Sequence, residues 1–105
     1  MPKELEIIKL RDLLIKHNIA HEYEDEMTNK GDFMFGLGAR KHIEIYEGET
    51  RVISVIYGEG TYGYRNGLLE IMGLLTPDEE ENDSVVGYLT AANVFNRIRK
   101  YYTLI

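Results

Sequence analysis

A chain of 105 residues with 44% hydrophobic and 29% charged residues has apolar material for one core and little room for a second. With no cysteine it has neither disulfides nor thiolate ligands, and its opening MPKELEII carries no apolar signal core, so the expectation is a single soluble, cytoplasmic domain with no membrane attachment. The net charge of −6 is spread along the chain: residues 1–30 hold five positive and seven negative groups, 31–75 four and six, 76–105 three and five. Nucleic-acid binders concentrate Lys and Arg to neutralise phosphates, and no such cluster exists here, so nucleic acid is not an expected partner.

Residues 2–16 place Ile7, Leu10 and Leu14 at i, i+3 and i+7 among charges, the stripe of a helix lying on a core, with Pro2 suited to its first turn. Asn18 supplies a left-handed stop, and residues 19–23 then alternate as a short strand. Between Glu24 and Arg40 the chain is irregular, with Phe33, Phe35 and Leu37 spaced at two, compatible with a short strand or a loop. Residues 41–46 and 51–57 are β-rich runs separated by Glu47-Gly48-Glu49-Thr50, which predicts a hairpin. Leu68–Leu75 reads as a strand on the evidence of Gly73, and Asp78-Glu79-Glu80-Glu81-Asn82-Asp83 as a solvated loop. Residues 84–89 form another strand, and Thr90 caps a final helix with Ala91, Val94, Phe95, Ile98, Tyr101 and Tyr102 at helical spacing. Its Arg97, Arg99 and Lys100 complement the helix dipole. The fold class is therefore α+β: a single antiparallel sheet of about four to five strands with an N-terminal and a C-terminal helix packed on it.

Gly58-Glu59-Gly60-Thr61-Tyr62-Gly63 satisfies GxGxxG and follows a predicted strand. A kinase would also need a strand lysine, a catalytic-loop aspartate and a far longer chain, and a dinucleotide fold needs a helix opening from the glycines, which Asn66-Gly67 interrupts. The physical content remains: Gly58, Gly60, Gly63 and Gly67 let backbone approach a partner, Tyr57, Tyr62 and Tyr64 offer aromatic surface, and Thr61 and Arg65 add a hydroxyl and a cationic fork. Such a loop suits a small anionic aromatic ligand or a protein surface, tyrosine giving contact area at low entropic cost; a plain connection between strands is the bland alternative.

His17 and His21 lie four apart, but Asn18-Ile19-Ala20 breaks a helix through both, and His42 stands alone in a β-run, so no metal site is expected. Neither Ser54 nor Ser84 sits in a nucleophile motif and no carboxylate pair is arranged for acid–base work, so neither catalysis nor a cofactor is expected.

The stretch SVIYGEGTYGYRNGLLEIMGLL followed, after the acidic break, by DSVVGYLTAANVFNRIR resembles small proteins of phages and prophages of Gram-positive bacteria, which share a YG…GLLEIMG…GYLTA…V…I arrangement. The likeness spans Ser54 to Arg99, and these proteins have no assigned activity from which residue roles could be carried over. What the resemblance implies is a protein that acts by binding, blocking a host defence or regulatory protein or capturing a signal molecule. The expectation is a non-enzymatic binding protein using residues 57–67, with a host or bacterial protein as partner. The alternative is a nucleotide sponge, its site completed across a homodimer interface.

Overall fold

The computed structural model describes residues 4–25, 40–58, 60–82 and 85–104. Helix α1 (Glu6–Lys16) begins after Leu5, whose ψ of 142° is extended, so the helix starts a turn later than the stripe from Pro2 predicts, and Pro2 lies outside the described residues. The stripe itself holds: Ile7, Leu10 and Leu14 are fully buried, each contributing roughly 1.5–3 kcal/mol. The helix stops where Asn18 adopts a φ of 57°. Asn18 N–H donates to Ile15 O at 3.1 Å and Ile19 N–H to Leu14 O at 2.9 Å, a complete Schellman arrangement. That turn consumes Ile19 and Ala20, so strand β1 (Glu22–Asp25) begins three residues later than the alternation at 19–23 predicts.

Strands β2 (Arg40–Glu47) and β3 (Thr50–Gly58) form the predicted hairpin, turning at Gly48 (φ 63°). Strand β4 (Leu69–Met72) and strand β5 (Val86–Leu89) complete a five-stranded antiparallel meander in the order β1-β2-β3-β4-β5. The predicted strands at 68–75 and 84–89 are present in shortened form; Gly73, at φ 95°, ends β4. The alternation of Phe33, Phe35 and Leu37 lies outside the described residues.

The acidic run is not a loop but a helix, α2 (Pro77–Asn82). Thr76 Oγ1 accepts from Glu79 N–H at 3.2 Å while Glu79 Oε1 accepts from Thr76 N–H at 2.8 Å, a capping box that nucleates the turn. Helix α3 (Ala91–Leu104) starts on a similar reciprocal pair, Thr90 with Asn93, both contacts 3.2 Å. Ala91, Val94, Phe95 and Ile98 are buried as the spacing predicts, whereas Tyr102 is exposed. Arg97 does more than complement the dipole: its guanidinium donates to both carboxylate oxygens of Glu79 at 2.7 Å and to Leu74 O at 3.0 Å, fastening α2 to α3.

Helices α1 and α3 pack together and cover one face of the sheet, where Ile43, Ile45, Ile53, Val55, Leu69 and Ile71 meet them in one core. Glu6 Oε1 accepts from Ala91 N–H at 2.8 Å, so a side chain of the first helix satisfies the N-terminus of the last. No helix among the described residues is long and apolar enough to cross a membrane.

Candidate functional site

The glycine-rich segment after β3 is a built turn rather than a slack connection. Thr61 Oγ1 donates to Gly58 O at 2.6 Å and accepts from Gly58 N–H at 3.2 Å, and Thr61 N–H donates to the same carbonyl at 3.1 Å. Tyr64–Asn66 then forms a single 3₁₀ turn, and Leu68 N–H returns to Gly63 O at 2.9 Å. Gly63 has a φ of 94°, and a Cβ there would lie 3.0 Å from Tyr88 N, so both conformation and crowding demand glycine. Three residues of 3₁₀ turn, followed by an antiparallel strand, remove the helix a dinucleotide-binding GxGxxG requires.

The turn is seated on an irregularity in the sheet. Pairing of Leu69 with Leu89 and of Ile71 with Val86 leaves Gly87 and Tyr88 together opposite Glu70, a β-bulge. Tyr88 carries the extra residue's conformation, with a φ of 61° that costs a tyrosine about 1–2 kcal/mol. Glu70, facing the bulge, reaches across to accept from Tyr62 N–H at 3.0 Å, while Tyr62 O lies 3.5 Å from Tyr88 N. Gly87 runs directly beneath Tyr62, with no room for a side chain.

The outcome is a groove of about 480 Å³ lined by Gly60, Thr61, Tyr62, Gly63, Tyr64, Arg65, Asn66 and Tyr88. Tyr62 is 53% exposed and Tyr88 59%, the latter the most exposed large hydrophobic side chain among the described residues. Tyr64 is backed by Tyr57, ring centroids 5.2 Å apart and tilted by 47°. The Tyr57 hydroxyl is held above its usual pKa, chiefly by burial and then by Tyr64, with Lys41 opposing, so it stays neutral at physiological pH.

Of the residues expected to make contact, Gly60, Thr61, Tyr62, Gly63, Tyr64 and Arg65 come together in this groove. Tyr57 and Gly58 lie behind it: Tyr57 is a support for Tyr64, and Gly58 is buried with its N–H held by Thr61. Most amides of the turn are satisfied internally, those of Thr61, Tyr62, Tyr64, Asn66, Gly67 and Leu68 included, so the turn offers a partner its side chains more than its backbone. Sequence reasoning missed Tyr88, although Gly87 inside a short strand is a bulge signal. It also missed Arg40, whose Nη2 lies 3.5 Å from where a Cβ on Gly60 would be.

A second cleft, of about 470 Å³, lies on β1 and β2 between Glu22, Tyr23, Glu24, His42 and Glu44. Its three carboxylates make it acidic, and among the described residues no group of three or more His, Cys, Asp or Glu side chains is placed to hold a metal ion.

No protein-family model, curated protein or solved structure matches this chain.

Proposed function

We propose that the chain is a non-enzymatic binding protein whose contact surface is the tyrosine groove between the 58–68 turn and the β5 bulge, and that its partner is a protein. The observation that supports this reading is Tyr88: a large aromatic side chain, more than half exposed, held in a left-handed backbone conformation beside an equally exposed Tyr62. Strained backbone clusters at functional sites, and exposed tyrosines are efficient protein-contact residues. A role in the cytoplasm of a bacterial host, blocking a defence or regulatory protein on behalf of a phage or prophage, belongs to the same proposal and rests on the resemblance over residues 54–99.

Nucleotide capture is the second reading, favoured by Arg65 and Tyr64 on one groove, a fork and an aromatic face for phosphate and base. Against it stand the internally bonded amides of the turn, which leave few donors for a polyphosphate. Two measurements separate the readings. A thermal-shift panel of nucleotides should leave the melting temperature unchanged, whereas a ligand at 100 times its Kd would add about 2.7 kcal/mol and several degrees. Tagged protein expressed in its native cells should retain a stoichiometric partner that the Tyr62→Ala/Arg65→Ala double variant loses while keeping its melting temperature. A nucleotide-specific shift, or a partner held equally by the double variant, overturns the proposal.

A further inference from the structure

Next to the Gly60 end of the groove stands Arg40, a cation with no ion-pair partner among the described residues. Arg40 opens β2 opposite Gly58 in the hairpin register, which brings its side chain to the glycine turn: Nη2 lies 3.5 Å from the position of a Gly60 Cβ. Its Nε is buried, with no hydrogen-bond partner in the structure, and among the described residues Arg40 takes part in no ion pair. Two other cations of the hairpin, one beside it in the chain and one at the far end, behave differently. Lys41 is paired with Asp25 at 2.6 Å and Arg51 with Glu44 at 3.1 Å, so cations of this sheet do find carboxylates where these are within reach. A guanidinium with a desolvated N–H and no acceptor is costly in a resting protein and is relieved by an incoming anion. On the same groove Arg65 is exposed, so two arginines stand at a tyrosine surface in a chain whose net charge is −6.

We infer that Arg40, beside Gly60, is an anion-recognition point, and that the occupant of the groove is an acidic, extended segment of a protein whose carboxylate takes the Arg40 fork while its neighbouring residues pack on Tyr62 and Tyr88. This deepens the protein-binding reading and rests on it. Charge complementarity selects the segment: the planar fork matches a carboxylate bidentately, and the net charge of −6 confines an acidic segment to the few cationic points of the surface. A Cβ on Gly60 would stand at van der Waals distance from Nη2, which puts the guanidinium at the Gly60 edge of the groove. A peptide is favoured over a nucleotide because the turn's internally bonded amides leave few donors for a polyphosphate, which needs many.

The test is an amide and arginine side-chain NMR titration of the intact chain with tetraglutamate, run against tetralysine and ADP. Tetraglutamate should give saturable shifts at Gly60, Thr61 and the Arg40 Nε–H, weakened by added salt, while tetralysine gives none there. Arg40→Gln should lower the tetraglutamate affinity about tenfold or more, and Arg40→Lys, which keeps the charge without the fork, should recover it only in part. The spectra themselves report whether each variant is folded, and the site of the shifts in the wild-type chain stands independently of any variant. Shifts centred on Arg99 and Lys100 of α3, or none, overturn the inference. Tighter binding of ADP with shifts at Tyr62 and Tyr88 overturns the choice of a peptide. If the native partner is lost with Tyr62→Ala/Arg65→Ala but held unchanged by Arg40→Gln, the inference fails and the protein-binding reading survives.

Discussion

The backbone of Gly87 passes so close beneath Tyr62 that a Cβ at position 87 would stand 2.8 Å from the Tyr62 carbonyl oxygen and within overlap of the Tyr62 side chain. This contact joins the glycine turn to the bulged edge of the sheet, and the groove exists because the two are held together. Gly87→Ala must therefore push the turn away, and because the obstructing atoms are largely backbone, relaxation is expensive. The expected destabilisation is about 1–3 kcal/mol in urea unfolding, together with loss of partner binding. An alanine variant as stable as the native chain would mean that the turn moves freely and that the groove is not preformed.

Glu6 ties the two ends of the chain together by accepting from Ala91 N–H, adding a tertiary cap to the local Thr90–Asn93 pair. Glu6→Ala should cost about 1 kcal/mol, comparable to a helix cap, and shift the melting temperature by roughly 4–8 °C. Thr90→Ala should cost a similar amount. Because both caps act on the first turn of α3, their double variant is expected to depart from additivity, which a double-mutant cycle measures.

The contrast between the sheet and the acidic helix shows what was legible in the sequence. Periodicity located Ile7, Leu10 and Leu14 on the buried face of α1, and Asn18 marked the stop, because both signals are local. The same holds for the 47–50 turn and for the Thr90 cap. The run 78–83 reads as loop because its density of charge masks the local Thr76–Glu79 capping pair, and the Arg97 that anchors Glu79 lies 18 residues on, on another helix. The site divides in the same way. The glycines and tyrosines of 57–65 stand out by composition, whereas Tyr88 joins the groove through a bulge and Arg40 comes beside Gly60 through strand register, which no single window of sequence encodes.

The Glu79–Arg97 pair carries a pH dependence whose sign follows from the structure. The two hydrogen bonds from Arg97, aided by the Thr76 N–H, hold the Glu79 carboxyl at about 2 against an ordinary 4.5. A depressed carboxyl stabilises the fold fully above its unfolded value and loses that contribution as pH falls from about 4.5 through about 2. Glu79→Gln keeps a capping acceptor but not the charge. It should be less stable than the native chain by about 1 kcal/mol at pH 7, and the gap should close across that acid window in unfolding curves taken at stepped pH. A gap that persists to pH 2 would mean that the loss is one of shape and not of charge.

Tyr88→Gly separates stability from function. Glycine accepts a φ of 61° without the steric cost borne by tyrosine, a relief of about 1–2 kcal/mol, and returns part of it through the greater freedom of the unfolded chain, about 0.4–1 kcal/mol. The exposed ring makes little packing contribution to lose, being 59% accessible. The variant is thus expected to unfold at the same or a slightly higher temperature, by up to about 1 kcal/mol, while partner binding collapses because one wall of the groove is gone. Thermal unfolding and partner retention, measured on the same preparation, check both halves. A clear loss of stability would show that the Tyr88 ring holds the bulge in place, and its left-handed conformation would then serve the fold and not a partner.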